Sequence, residues 1–540
     1  MKRALTFAAM AAALAVPALA QNPAQGQPQQ PAPPAAPPRP WTTGDAVLRA
    51  IWDEGMNRSQ LEVLGQALMD SIGPRLTGSP GQQSAHDWAV AKYRSWGIDA
   101  RTQPYGTWRG WRRGYTHIDL LEPRVRTLEG QMLAWSPGTN GPVTAGVVVL
   151  PEVADSAAFE AWLPNVRGKF VATTFPQPTC RPDDNWAKWA LPDTYERMRQ
   201  ERMTAIQAWQ QRRVGRAGGD PRFFARRLEE AGAVGILTNN WSQGWGVDKV
   251  FNARTERVPT VDLSCEDYGL VVRMAERGQG PKLRIDSQAE FTGDVPASNT
   301  LAEMRGRRLP DEYVMLSAHF DSWDGSSGAT DNATGTIVMM EAMRILKAVY
   351  PNPRRTIMAG HWSGEEQGLN GSRAFVADNP RIVQNLQALF NQDNGTGRIA
   401  NFGFQGFTRV APIIRGWFGR MPPVLVDSLR ADDPGMPSGG GSDNASFVCA
   451  GAPGFGLGSL SWDYGAYTWH TNRDTYDKVS WDDVRRNAVM VAMLVYLASE
   501  EPQRLPRDRR TEFPVNPQTG QPGAWPVCQE PARTAAQSTR

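Results

Sequence analysis

The chain predicts an α/β fold: a mixed, mostly parallel sheet flanked by helices, with a smaller β-rich domain inserted into it. Three observations lead there. Strand-like and helix-like segments alternate through residues 291–505, the pattern of a sheet whose parallel strands are joined by helices. Short apolar runs over 136–290 break that alternation and read as a separate unit. Acid and imidazole side chains recur at the ends of probable strands in the second half, where open α/β sheets collect their ligands.

In chain order, residues 1–20 read as a secretory signal. Lys2 and Arg3 open it, an Ala/Leu/Val/Met stretch follows, and Ala18-Leu19-Ala20 offers a small-residue cleavage site. The run is short and Ala-rich for a span of ~20 residues. No cysteine near the cleavage site suggests a lipid-anchored form. Residues 21–41 are a Pro/Gln/Ala linker too poor in large apolar side chains to pack. Residues 42–135 form the first part of the main domain, with helices expected in SQLEVLGQALMDSIG and SAHDWAVAKYRSWG and turns in GPRLTGSPG.

The insert, 136–290, carries strand signals in AGVVVL, GKFVATTF, AVGILTNN and VPTVDLS, and a charged helix in TYERMRQERMTAIQAWQQRR. In 291–505, YVMLSA, RTIMAG, ALFNQD and GFGLGSL read as strands. TGTIVMMEAMRILKAV places Met339, Ala342, Met343 and Leu346 on one apolar helix face. A Pro-rich, polar tail over 506–540 is expected at the surface or disordered, with Cys528 available to pin it.

Composition excludes some functions. With 41% hydrophobic and 21% charged residues and a net charge of +3 in 540 residues, nothing argues for nucleic-acid binding. Of the four cysteines, Cys180, Cys265, Cys449 and Cys528, none belongs to a CxxC, so a thiolate metal site is not expected. One or two disulfides fit an oxidising compartment, and all three full pairings stay open. Signal and linker composition point to a bacterial periplasmic or secreted protein.

The chemistry-bearing residues are His319 and Asp321 in SAHFDSWDG, Asp331 in ATDNATG, Glu365 and Glu366 in GHWSGEEQG, Asp393 in NQDNG and His470 in TWHTNRDTYDKV. Two His and several carboxylates can hold a pair of zinc ions, with one carboxylate left as a base, which points to metal-assisted hydrolysis. Each residue alone has a duller account: a helix start for Glu365-Glu366, an N-cap for Asp331, a turn for Asp393-Asn394-Gly395. Together and at strand ends they outweigh those accounts. His361 is read as a strand residue or one that supports the site from behind, His86 and His117 as packing or surface groups, and Ser442-Asp443 equally as substrate contacts or as the cap of a helix over 444–448. Trp108 and Trp111 are read as packing between domains.

The pattern resembles the M28 family of zinc exopeptidases over residues 45–502, with the insert similar to a protease-associated domain whose helix-strand element matches FFARRLEEAGAVGILTNN. The spacing is most similar to the carboxypeptidase Q-like branch, which acts on dipeptides and small peptides. The resemblance implies the zinc-exopeptidase fold and two Zn²⁺ bridged by Asp331. His319 and Asp393 would complete one position, and Glu366 and His470 the other. Glu365 would be the general base acting on a metal-bridging hydroxide, with Asp321 orienting His319.

One departure stands out: several family members have Tyr before the last His, where this chain has Trp469, so Tyr464 or Tyr467 would have to substitute. The expected activity is exopeptidase cleavage of short peptides, with a carboxypeptidase or dipeptidase favoured over an aminopeptidase. Arg373, Arg415 and Arg420 are candidate carboxylate readers. Short peptides are the expected partners. Homodimer formation is left open, and neither nucleic acid nor stable membrane insertion after signal removal is expected. Two rival readings are a one-zinc glutaminyl-cyclase-like transferase and an inactive protease-like binding protein. Both conflict with a complete ligand set and base.

Overall fold

The computed structural model describes residues 40–220, 223–515, 517 and 520–538. The expected signal, and the linker up to residue 39, lie outside the described residues. Among the described residues no helix is long and apolar enough to cross a membrane.

Parallel strands build the centre of the main lobe. Leu309–His319 lies between Arg355–Trp362 and Leu386–Gln392, parallel to both, and Gly454–Ser459 continues the sheet in parallel beyond Leu386–Gln392. Arg355–Trp362 and Leu386–Gln392 are buried along their whole length on both faces, so their sequences do not alternate apolar with exposed polar residues. Antiparallel partners finish each side: Ile399–Gly403 next to Gly454–Ser459, and Lys282–Met304 next to Arg355–Trp362.

The helix Thr334–Val349 is buried on all sides through Leu346 rather than along one face as the periodicity suggests. The reason is a second helical layer, Ala46–Asn57 and Trp481–Glu500, packed over it. Its charged residues are paired rather than solvated: Arg344 donates to Glu341 at 2.8 Å and to Glu54 at 2.6 Å. Breaking a buried network of this kind by removing one partner is costly.

A feature not expected from sequence links the two lobes. Asp99–Glu122 and Lys282–Met304 pair antiparallel along nearly their whole length. One end lies in the main sheet, and the other pairs with Val143–Val149 in the insert. Four register shifts along this ribbon break the alternation that would mark strands in sequence. Trp108 and Trp111 are buried on it in a cluster with Leu76, Trp135 and Trp323, against which Phe251 packs.

In the insert, Val143–Val149, Phe170–Ala172, Gly235–Thr238 and Thr260–Leu263 pair in parallel, with Gly130–Met132 antiparallel at the edge. Parallel strands require crossovers. The lobe therefore holds more helix than the one or two segments indicated by sequence: Ser156–Trp162, Asp183–Trp189, Pro192–Trp209, Phe224–Glu230 and Cys265–Glu276.

The cysteines pair as Cys180–Cys265 within the insert and Cys449–Cys528 between the main lobe and the tail. The tail is not loose. Trp525 donates its indole N–H to Val448 O at 3.0 Å, and Arg533 bonds Asp378 at 2.7 Å.

Candidate metal centre

His319 ends its strand with the imidazole fully buried. Its Nε2 stands 3.0 Å from Asp393 Oδ1 and 3.2 Å from Asp331 Oδ1. His470 Nε2 stands 2.8 Å from Glu366 Oε2 and 3.2 Å from Asp331 Oδ2. The Asp331 carboxylate thus lies between the two imidazoles, one oxygen toward each. Glu365 closes the group on the other side, an oxygen within 4.8 Å of ligand atoms of His319 and Asp393. The five residues read as ligands and the one read as a base therefore converge on one place.

The backbone explains how they arrive. Asp393 directly follows its strand, and Glu365-Glu366 follow theirs after a turn at Gly364. Gly364 has φ +69°, and a Cβ there would come within 2.6 Å of the Tyr105 hydroxyl. Asp331 is reached through a tight loop in which Gly328 has φ +57° and a Cβ would lie 2.4 Å from Ser322.

Asp321 does not act as its position suggests. The His319 Nδ1 hydrogen bond goes to the Asp321 main-chain carbonyl at 3.0 Å, and the nearest carboxylate oxygen is 3.8 Å away. The carboxylate instead accepts the backbone N–H groups of Glu365 at 3.2 Å and Glu366 at 3.3 Å. Two N–H groups at the start of a loop satisfy a buried carboxylate better than one ring N–H already directed at a carbonyl.

Two organising residues escaped the sequence reading. Asp474 accepts the backbone N–H of Thr330 at 2.8 Å and of Asp331 at 3.0 Å, fixing the main chain of the central carboxylate. Burial raises its pKa to about 7. Arg75, fully buried, donates to the carbonyls of Phe320, Gly73, Ser327 and Gly328. It staples the loop between His319 and Asp331, and its charge faces Asp474, Asp321 and Asp331. The only available signal for Asp474 was its place in the same short segment as His470. Arg75 lay in a stretch read as a turn.

The electrostatics favour a cation. Burial raises the pKa of Glu365 well above the carboxylate range, with Asp393, Glu366 and Asp443 adding to the effect against His319. Burial opposes charge on His470, yet Glu366 and Asp331 outweigh it and raise the ring to about 9. Asp331 Oδ2 and Glu366 Oε1 are buried and accept no hydrogen bond from the described residues. Mixed N and O donors converging with orphaned carboxylate oxygens fit divalent metal.

The remaining residues sort as follows. His361 is buried against the Tyr93 hydroxyl at 2.7 Å, and His86 against Thr300 at 2.7 Å. His117 pairs with Asp119 at 3.1 Å, outside the centre. Asp443 precedes the helix Asn444–Cys449 but makes no capping bond. Its carboxylate is fully buried and faces His319 and Asp393. Of the candidate carboxylate readers, Arg415 is engaged by Asp433 at 3.3 Å and Arg420 by Asp45 at 2.7 Å, whereas half-buried Arg373 lies near Asp443 and Glu365. Tyr467 bonds Asp184 at 3.1 Å, whereas half-buried Tyr464 faces Asp331, Asp393 and Glu366. Beside Asp393 a cavity of about 240 Å³ is lined by Asn391, Asn394, Asn401, Asn444, Arg430 and Asp432.

This donor set at the strand ends of an α/β sheet, with a spare carboxylate beside it, defines a metal-dependent hydrolase. Residues 299–495 match the model of peptidase family M28. Carboxypeptidase Q from Mus musculus is 26% identical over 460 residues, spanning 85% of this chain and 89% of that protein. The crystal structure of a peptidase M28 precursor from Shewanella amazonensis superposes with a TM-score of 0.61 at 23% identity, covering 85% of this chain and 97% of that one. A zinc aminopeptidase from Bacillus subtilis shares the fold at TM-score 0.51 and 18% identity, over 83% and 96% of the two chains. The chain is thus similar to M28 metallopeptidases in its second half and to carboxypeptidase Q, at 24–26% identity, over 85% of its length.

Proposed function

We propose that this is an exported dinuclear-zinc exopeptidase that cleaves short peptides at a terminus, of the carboxypeptidase or dipeptidase type. The observation that carries it is the Asp331 carboxylate set between the two imidazoles, 3.2 Å from each, with Asp393 and Glu366 outside them. Likeness to carboxypeptidase Q over 85% of the chain favours that type, and two disulfides support an oxidising destination.

In this reading His319 and Asp393 would hold one ion, Glu366 and His470 the other, with the Asp331 carboxylate available to both. Zinc at such a site would supply Lewis acidity toward a carbonyl oxygen and a water molecule. Glu365, whose environment keeps its pKa high, takes the water proton and delivers it to the leaving amine. Tyr464, rather than Trp469, directs its hydroxyl toward the developing oxyanion. Arg373 is the carboxylate reader among the three arginines considered, and the amide-lined cavity receives a polar side chain next to the scissile bond.

The test pairs metal analysis with a panel of free, N-blocked and C-blocked dipeptides. Two zinc per chain, loss of cleavage in Glu365→Gln and failure on C-blocked peptides are expected. Cleavage of C-blocked but not N-blocked peptides would convert the reading to an aminopeptidase. Zinc-free protein that stays inactive when zinc is restored would end the enzymatic reading.

A further inference from the structure

His470 is held differently from His319. A ligating imidazole ordinarily donates its second ring nitrogen to a carbonyl or carboxylate, which sets its tautomer and direction. His319 does so through the Asp321 carbonyl. His470 Nδ1 is buried and has no hydrogen-bond partner among the described residues. Its backbone sits at φ +59°, a region a non-glycine residue occupies only when its surroundings impose it.

Those surroundings come from the insert. Val250 donates its N–H to His470 O at 2.7 Å, and Lys249 bridges to Thr471. Lys249 Nζ donates to Trp469 O at 2.8 Å and Gly465 O at 3.0 Å, and lies 4.3 Å above the Trp469 ring. That indole stacks on the His470 ring at 3.9 Å. Phe251 meets the same ring edge-on at 5.4 Å, at an interplanar angle of 88°. Further along the seam, Asn472 and Asp248 exchange two hydrogen bonds of 3.0 Å, and Ser242 donates to Ala466 O at 2.6 Å. Shape and main-chain bonds from the neighbouring lobe thus replace the missing Nδ1 bond.

We propose that the insert is a working part of the metal centre: Lys249 and Phe251 are positioning residues that hold His470 in ligating geometry, so the ion at Glu366 and His470 is completed only when the two lobes are docked. This rests on the reading of His470 as a ligand. It makes the two metal positions unequal, one built within the sheet and one across the seam.

The test is zinc titration of the full-length protein against a coloured chelator, with wild type, Phe251→Ala, Lys249→Met and Lys249→Arg compared and each fold checked by circular dichroism. Wild type is expected to hold two ions. In Phe251→Ala and Lys249→Met one ion should keep its affinity while the other weakens ten- to a hundredfold, and Lys249→Arg should restore most of the loss. Cobalt-substituted protein should show a changed visible spectrum in the same two variants. If Phe251→Ala fails to fold, Lys249→Met, which keeps the aliphatic stem, carries the test. Variants that bind both ions as wild type does would overturn the proposal alone. A wild-type protein that binds one ion would overturn the two-metal reading and this proposal with it.

Discussion

The two halves of the centre reach similar ligand geometry by different routes. His319 and Asp393 sit at the ends of adjacent parallel strands, and the His319 ring is fixed by a carbonyl two residues on. His470 sits in a loop with left-handed backbone, fixed by a lobe more than two hundred residues earlier in sequence. The first half inherits the rigidity of a buried sheet. The second depends on a docking seam, so it is where metal affinity, and not only catalysis, can be perturbed from a distance.

The largest effect should come from the base beside the sheet-built half. Glu365→Gln should lower kcat by ~10²–10⁴ while metal content stays at the wild-type value. Loss of metal in that variant would show that Glu365 belongs to the ligand set. Next, Asp474→Ala removes the bonds that set the Asp331 main chain and should weaken metal binding about 10–100-fold at both positions. An effect confined to one position would mean that Asp331 does not bridge.

Asp321→Asn should cost less, about tenfold in kcat/KM, because the His319 bond to the main-chain carbonyl survives the substitution. A total loss of activity would return the orienting role to the carboxylate.

The smallest effect concerns pH at the seam. Burial holds the carboxyls of Asp248 and Asp262 protonated well above the usual range, to about 9 and about 7. A raised carboxyl pKa means that the folded state binds more protons than the unfolded chain. Stability therefore falls as pH rises from the ordinary carboxylate pKa toward those values. Tm should decline between pH 5 and 8, and Asp248→Asn should flatten that decline. A wild-type Tm that rises over this interval would contradict the assignment.

Much of the fold could be read from sequence because its central strands are apolar runs and their ends carry the polar residues. His319, Asp331, Glu365, Glu366, Asp393 and His470 stood out for that reason. Asp474 and Arg75 did not, because Asp474 acts on a main chain 143 residues away and three of the four carbonyls that Arg75 reaches lie 245 or more residues away. Asp443 stayed ambiguous in sequence because an acid before a helix is ordinarily a cap. The inter-lobe ribbon stayed hidden because Gly and Arg interrupt its apolar pattern where its register shifts. What tertiary contact alone decides, such as the engagement of Arg415 and Arg420 by acids on neighbouring segments, leaves no local trace.

The bond between Asp474 and Asp331 also sets a schedule. A ribosome exposes Arg75 early, the insert next, and residues 470–474 only after most of the chain has been made. Until that last loop lands on Asp331, the bridging carboxylate has neither its backbone clamp nor its second imidazole. A nascent chain should therefore be unable to cut peptides until residues 470–474 have been added and have folded onto Asp331. Pulse-labelled chains stalled before residue 470 should accordingly show no hydrolysis, whatever zinc is supplied.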